Sequence, residues 1–553
     1  MKNTLNELFV GNPQFPGQSA QGKAQNTEAK WRSLFEQQGE IAPAQVGGDF
    51  AVAIRTVDDS VFLAVDRFAI RSLCYRQVGE TLLFAERADE LADASSEIDP
   101  QAIFDYFYFH CIPSPRTIYK GIFRLPPGHC AVFRNSKLSV KPYWVPDFQE
   151  NSSALYGNLR DEFLDLLQLA ISAQLDGSKP ACFLSGGTDS STVAGMIAKI
   201  AGEASTYSIG FEAEGYDEMA FARLAARHFG TEHHEYYVTP DDLVRGIPAV
   251  AAHYDQPFGN SSALPAFYCA KMARDDGVSK LLAGDGGDEL FGGNTRYAKQ
   301  RVFNCYESIP EVLRSGVMEP VLGMRLAARL PGVRKAASYV EQARVPMPDR
   351  LQMYNLIVRL GVDTVFPADF LSRIDLAAPL LHQKETWLQA RAGTSVNREL
   401  AFDWRYTLAE SDLPKVCGAT RLAGIDVGFP LLDKRLLDFS LGLPPEYKLK
   451  GLKLRWFFKE ALRGFLPDEI ITKKKQGFGL PFGVWVSRNA PLRSLAEESV
   501  RGLVDRGMLR QPFVDALFAS YLEQHPGYYG EMIWISMMLE QWLRSYDRRG
   551  KGL

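Results

Sequence analysis

The stretch Phe183-Leu184-Ser185-Gly186-Gly187-Thr188-Asp189-Ser190-Ser191 constrains the fold more than any other part of the chain. Ahead of it, Pro180-Ala181-Cys182-Phe183-Leu184 reads as a short buried strand, and behind it residues 192–200 space their apolar side chains as a helix does. A strand that turns on glycines into a helix N-terminus makes a phosphate site, because free N–H groups and the positive end of the helix dipole converge there. Gly186 and Gly187 let the backbone approach an anion, and Ser185, Ser190 and Ser191 add hydroxyl donors. Asp189 is placed to hold a magnesium ion between phosphate oxygens. No Gly-Lys-Ser/Thr follows, so this is not a Walker loop.

Strand and helix patterns alternate after it. Residues 204–211 form a second strand with Gly210 near its end, Tyr216-Asp217-Glu218 opens a helix, and residues 233–238 read as a third strand. Such alternation predicts an α/β fold with a doubly wound parallel sheet whose ligands bind at the carboxyl ends of the strands. Residues 280–283 then lead into Gly284-Asp285-Gly286-Gly287-Asp288-Glu289. That loop would bring three carboxylates to the sheet edge that holds Asp189, where mutual repulsion calls for a bound cation. The segment from about 300 to 400 is helical by pattern.

The chain ahead of this domain reads differently. Residues 1 to about 30 are rich in Gly, Gln, Asn and Ser and look loop-like, whereas residues 46–86 read as a run of hairpins and predict an antiparallel sheet. A Pro- and polar-rich linker at 142–150 divides a domain at 1–146 from one at 147–553.

Bulk properties exclude several classes of function. The net charge of -4 over 553 residues argues against nucleic acid or an anionic membrane as partner. No run approaches a membrane-spanning length. The seven cysteines are scattered and form no Cys-x-x-Cys pair, which predicts reduced thiols in a cytoplasmic protein. His233 and His234 read as packing or surface residues more readily than as metal ligands.

Ser185 to Ser191 resembles the pyrophosphate (PP) loop of ATP pyrophosphatases, and the rest of the chain resembles the asparagine synthetase family. Gly48-Asp49-Phe50-Ala51, Asp66-Arg67-Phe68-Ala69-Ile70, Arg124-Leu125-Pro126-Pro127-Gly128-His129 and Pro142-Tyr143-Trp144 are similar to parts of that family's amidotransferase domain. The resemblance implies a degenerate N-terminal-nucleophile (Ntn) amidotransferase-like antiparallel domain, joined to a PP-loop domain of the adenine nucleotide alpha hydrolase-like type with helical additions. In the family, a terminal cysteine hydrolyses glutamine. Here Lys2 follows Met1 and the first cysteine is Cys74, so loss of glutaminase activity is expected. Cys74 or Cys111 acting as nucleophile with His110 or His129 is the weaker alternative.

The resemblance further implies ATP and Mg2+ as cofactors. Ser185, Gly186, Gly187, Ser190, Ser191 and Gly286 would contact the nucleotide, Ile209 and Gly210 would close over adenosine, and Asp189 and Asp288 would hold the metal. Asp285 would activate an amine, supported by Asp426. Lys475, ahead of Gln476-Gly477-Phe478-Gly479, would neutralise the leaving pyrophosphate, while Lys473 and Lys474 are expected in solvent. Leu413-Pro414-Lys415-Val416 through Asp433 matches the family's second signature, with Cys417 in place of an aspartate and Gly428 in place of an arginine. Those departures argue against ordinary aspartate specificity. The expected activity is ATP-dependent, AMP-forming amide ligation of a small-molecule or peptide substrate carrying a carboxylate and an amine. It would close a ring in the manner of lasso-peptide macrolactam cyclases or β-lactam synthetases, the former with precursor-peptide processing partners. Ammonia-dependent asparagine synthesis and a catalytically silent nucleotide-binding scaffold are the alternatives.

Overall fold

Period-two patterning dictates the N-terminal half of the architecture. The computed structural model describes residues 6–17, 26–56, 60–150, 155–307, 309–314, 339–474 and 479–550. Strands β1 (Leu8–Gly11), β2 (Phe50–Arg55), β3 (Val61–Val65), β4 (Cys74–Val78), β5 (Thr81–Ala85), β6 (Phe123–Arg124), β7 (His129–Arg134) and β8 (Lys137–Pro142) pair antiparallel throughout. They form one sheet in the order β1-β2-β3-β7-β8 and a smaller one in the order β5-β4-β6. Ala51, Ala53, Leu63 and Val65 point into a core shared with Tyr75, Leu82 and Phe84 of the second sheet. Their neighbours Phe50, Val52, Phe62 and Ala64 pack on the other face against Trp31 and Phe15.

In the N-terminal stretch that reads as loop-like, residues 8–11 and 27–38 are regular elements, which the composition does not suggest. β1 pairs with β2 from Leu8↔Ala53 to Gly11↔Phe50, and the helix Thr27–Gln38 buries Trp31 to 1% exposure. A four-residue edge strand and one buried indole are supplied by tertiary partners, and local composition does not register them.

The second half is a five-stranded parallel sheet built from β9 (Ala181–Phe183), β10 (Ser205–Phe211), β11 (Glu232–Val238), β12 (Lys280–Leu282) and β13 (Asp426–Gly428). The order is β11-β10-β9-β12-β13. Cys182 and Leu282 face the helices Tyr156–Ser172 and Thr188–Ala201, while Ala181, Tyr207 and Leu281 face the helices Ala263–Asp275 and Leu413–Ala423. Both faces are thus covered, as a parallel sheet requires. From β9 the chain steps to β10 and β11 on one side, then to β12 and β13 on the other. The strand order reverses at β9, and a crevice opens at the carboxyl ends there. A short hairpin, β14 (Leu449–Lys450) with β15 (Lys453–Leu454), lies beside it in sequence with the helix Trp456–Ala461. The C-terminal helix Pro526–Gly550 buries Trp534 and Trp542 completely and receives the Tyr106 hydroxyl on the Ile535 carbonyl at 2.8 Å, which fastens the two halves together.

Candidate functional site

The crevice at the switch point is a cavity of about 1210 Å³. Ser185, Gly187, Asp189 and Ser190 line it from the loop after β9, and Gly284, Asp285, Gly286, Asp288 and Glu289 line it from the loop after β12. Glycine makes this convergence possible: a Cβ on Gly284 would lie 2.8 Å from the Ser190 nitrogen, and one on Gly287 would lie 2.1 Å from Asp189 Oδ1. The first loop is tied internally, with the Ser185 N–H donating to Ser190 Oγ at 3.1 Å and the two hydroxyls 3.0 Å apart. Ser208 Oγ donates to the Leu184 carbonyl, which fixes the loop to β10.

The group that joins the two acidic loops is Arg455, which carried no motif in the sequence. Its Nη1 donates to Asp189 Oδ2 at 2.8 Å, to Asp288 Oδ1 at 2.7 Å and to Thr188 Oγ1 at 2.9 Å, and Nη2 bonds Asp189 Oδ1. The guanidinium is 4% exposed and rests 4.1 Å from the Phe458 ring centroid. Arg455 also takes a φ of 52°, a left-handed conformation uncommon outside glycine and one that clusters at functional sites. Burial opposes its charge, but Asp189 and Asp288 overcome that and raise its pKa further.

Because one nitrogen reaches both carboxylates, Asp189 and Asp288 stand within reach of a single cation. Two carboxylates beside a phosphate cradle are the hard oxygen donors that Mg2+ takes. The residues therefore fit the metal expected of them. Lys459 adds a second positive group to the lining, its pKa lowered by burial and by Arg455.

Asp285, in the same loop as Asp288, also lines the cavity, with its Oδ1 3.5 Å from Lys415 Nζ, which in turn reaches Asp412 Oδ1 at 3.0 Å. Burial raises the Asp285 carboxyl above the ordinary range, and Lys415 only partly offsets this. For Lys415, burial works to lower the pKa, while Asp412 and Asp285 more than reverse it. Asn260, Ser262 and Thr407 also line the cavity.

Several expected site residues fall elsewhere. Gly186 has a φ of 71°, and its bare face meets the backbone of Phe221 and Ala222, so it seats the helix Met219–Phe229. Ser191 is fully buried. Ile209 lines the cavity, but Gly210 does not: a Cβ there would lie 2.6 Å from the Tyr237 ring, its parallel neighbour on β11. Gly210 makes room for Tyr237.

Asp426 is the clearest correction. It pairs in register with Lys280 at the amino-terminal ends of β12 and β13, exposed and opposite the edge that carries Asp285. The expected Asp426–Asp285 pairing does not form, because strand direction puts them at different ends of the sheet. Gly428 has a physical counterpart: a Cβ there would meet Gln174 Oε1 at 2.5 Å and Lys280 Cε at 3.2 Å, and Lys280 Nζ donates to the Gln174 carbonyl at 2.7 Å. A cation on the adjacent strand thus fills the space beside position 428.

The basic segment also departs from expectation. Lys473 is not in solvent. It pairs with Glu218 Oε1 at 2.7 Å and lies 4.4 Å from the Phe221 ring centroid. Lys474 is exposed and lines the cavity rim. Lys475 lies outside the described residues. His233 Nδ1 is 2.9 Å from Thr206 Oγ1, and His234 stacks on Tyr207 with centroids 4.8 Å apart, so both histidines serve packing.

Comparison with known proteins agrees with this arrangement. The asparagine synthase family profile matches residues 162–544, and the glutamine amidotransferase domain profile matches residues 24–144. The chain is 26% identical over 495 residues to asparagine synthetase [glutamine-hydrolyzing] 1 of Bacillus subtilis (strain 168), covering 87% of this chain and 76% of that protein. It is 23% identical over 481 residues to asparagine synthetase [glutamine-hydrolyzing] 3 of the same organism, covering 82% and 71%. Amidase chyE of Penicillium rubens is 23% identical over 506 residues, covering 82% and 72%. No helix among the described residues is long and apolar enough to cross a membrane. The family uses ATP to form carbon–nitrogen bonds, and a profile match over most of the chain, on a site with both acidic loops in place, shows that the chain belongs to the asparagine synthase family.

Proposed function

We propose that this protein is an AMP-forming amide ligase that takes its amine from its substrate or from free ammonia rather than from glutamine. The observation that carries the reading is the meeting of Asp189 and Asp288 on one buried guanidinium at the switch point of the sheet. The substrate carboxylate attacks the α-phosphorus of ATP, the bond to pyrophosphate breaks, and an acyl-adenylate forms. The amine nitrogen then attacks the acyl carbon, its proton passes to Asp285, and AMP leaves with the acyl C–O bond. Ser185 and Ser190 orient the phosphates, and Arg455 and Lys459 balance their charge; Lys475 is assigned the same role from the sequence. Asp189 and Asp288 would hold Mg2+, which when bound supplies charge neutralisation on the triphosphate.

Two observations bear on the source of the amine. The cavity exceeds the roughly 300–1,000 Å³ usual for one ligand, leaving room for more than aspartate beside a nucleotide. Cys74 and Cys111 are buried at 0% and 6% exposure, and burial raises both thiols above their ordinary range, the reverse of what a nucleophile requires. The room in the cavity supports a ring-forming ligase acting on a peptide or β-amino acid, while the buried thiols argue only against glutamine as the nitrogen source. Ammonia-dependent asparagine synthesis is the second reading: the relatives are asparagine synthetases, but glutamine-hydrolyzing ones, so they favour the acceptor in this reading and not its nitrogen source.

The test is pyrophosphate release from MgATP without glutamine. L-Aspartate with ammonium chloride, β-amino acids and short peptides bearing a side-chain carboxylate are the acceptors compared. Release only with aspartate and ammonia would select asparagine synthesis. Release with the peptide or β-amino acid, and formation of a product lighter by one water, would select ring closure. No release with any of them would sink the ligase reading.

A further inference from the structure

Glu410 lies outside the cavity, yet it connects the N-terminal domain to the wall that carries Asp285. Its carboxylate is 3% exposed. One oxygen accepts from the Ser114 N–H at 3.0 Å and from Ser114 Oγ at 2.7 Å, and Arg405 bonds it as well. The other oxygen accepts from Arg124, whose guanidinium also donates to the Ile112 carbonyl at 2.9 Å. Burial pushes the Glu410 carboxyl up, but Arg124 and Arg405 outweigh it and hold the pKa at about 2. Ser114 and Arg124 belong to the N-terminal domain, so a fully ionised cluster bridges the two halves in a dry place. Breaking one partner of such a cluster leaves a buried charge uncompensated.

The segment that bears Glu410 is itself unusual. Trp404–Asp412 winds as a π-helix ahead of the helix Leu413–Ala423. π-Helical turns are rare and sit most often at functional places, because the extra residue re-aims the side chains that follow. Asp412, two residues after Glu410, lines the cavity. Ser411 Oγ accepts from Asn260 Nδ2 at 3.0 Å, and Asp412 accepts from Lys415, which in turn reaches Asp285. A continuous set of contacts therefore runs from Ser114 and Arg124 through Glu410 and the π-helical turn to the group facing the amine.

We propose that Glu410 is a positioning residue for amide formation. By tying the π-helical turn to Ser114 and Arg124, it sets where Asp412 and Lys415 hold Asp285. This rests on the amide-ligase reading, and it gives the N-terminal domain a task that needs no glutamine hydrolysis. Adenylation, assigned to the Ser185–Ser191 loop with Asp189 and Asp288, does not pass through this contact.

The experiment compares the full chain with Glu410→Gln, Glu410→Asp and the milder Ser114→Ala. Hydrogen–deuterium exchange of peptides spanning 404–416 reports the turn, and thermal melting reports folding. MgATP, hydroxylamine as the amine probe, and whichever carboxylate of the panel above releases most pyrophosphate report the two half-reactions. The expected result is faster exchange at 404–416 in Ser114→Ala and Glu410→Gln. Hydroxamate formation should fall at least about tenfold, the scale on which misplacement of a catalytic group acts, while carboxylate-dependent ATP–pyrophosphate exchange and the KM for ATP stay within about twofold. Glu410→Asp, which keeps the charge, should recover part of the loss. Adenylation and hydroxamate formation falling together, in proportion to the unfolded fraction, would overturn the proposal, as would unchanged rates in a folded Glu410→Gln. Wild-type protein that releases no pyrophosphate with any acceptor would instead overturn the ligase reading itself, and this proposal with it.

Discussion

Asp66 and Asp285 are aspartates set into the protein, one in each half of the molecule, Asp66 fully buried and Asp285 partly open to the cavity, and desolvation raises both carboxyls, Asp66 to about 6. What meets each carboxylate separates them. Asp66 accepts from the N–H groups of Phe50, Phe68, Ile70 and Arg71 at 3.0–3.2 Å, so its oxygens are committed to the chain reversal after β3. Asp285 is met by one lysine at 3.5 Å and otherwise faces the cavity. Burial of an acid is therefore no mark of chemistry by itself. A carboxylate with lone pairs left toward a cavity can accept a proton from a substrate, and one saturated by backbone donors can only hold a turn.

The sharpest way to break that contrast is to neutralise each acid. Asp285→Asn should lower amide formation by about 10²–10³, the usual loss when one preorganised polar group is removed from an active site. Carboxylate-dependent ATP–pyrophosphate exchange should continue. A parallel fall in exchange would place Asp285 in nucleotide binding instead.

Asp66 should be silent in kinetics per folded molecule and loud in stability. Its folded pKa of about 6 lies above the ordinary aspartate value of 3.8, so its stabilising contribution is complete below about pH 4 and is lost as pH rises through 6. Two pKa units correspond to about 3 kcal/mol. Urea unfolding of wild type and Asp66→Asn between pH 4 and 7 should show that difference in slope, with the variant the flatter. Equal slopes would mean that the backbone donors hold Asp66 ionised throughout.

Lys415→Met tests the same contrast more gently. Removing the neighbouring cation, with Asp412 left in place, should raise the Asp285 carboxyl further. The acid limb of the pH–rate profile for amide formation should move to higher pH, while the limb for pyrophosphate exchange stays where it is. An unmoved amide limb would show that Asp285 does not control it.

What the sequence disclosed about this site follows the same division. Ser185–Ser191 and Gly284–Glu289 were legible because a phosphate cradle and an acid pair each need contiguous residues, and the alternation of strands and helices placed both at one edge. Arg455 was not legible: it acts across 266 positions on Asp189 and 167 on Asp288, with only Lys453-Leu454-Arg455-Trp456 around it. Asp426 was misplaced because a three-residue strand gives no hint of which end faces the ligand, and only the register Lys280↔Asp426 decides it. Gly210 was read toward the nucleotide because a bare Cα is equally useful to a ligand and to a tyrosine on the next strand. Lys473 was read as solvated because the charge run conceals a partner, Glu218, that lies just ahead of the helix Met219–Phe229, 255 residues earlier.

The smallest expected effect bears on the N-terminal domain alone. Cys74 and Cys111 sit among packed side chains in the largest core cluster, and burial is the first cause of the raised pKa of each thiol. Reaction at glutamine needs a thiolate within reach of solvent-borne substrate, and a buried thiol beside the carboxylates that further raise it, Asp255 for Cys74 and Glu410 for Cys111, supplies none. Cys74→Ala and Cys111→Ala should therefore leave the conversion of glutamine to glutamate at the level of the wild type, itself at background, while each lowers stability by about 1 kcal/mol through the small void left behind. Measured glutamate production by the wild type that vanishes in either variant would reverse the comparison. The N-terminal half would then hold a working nucleophile, and the amine for the second step would come from there.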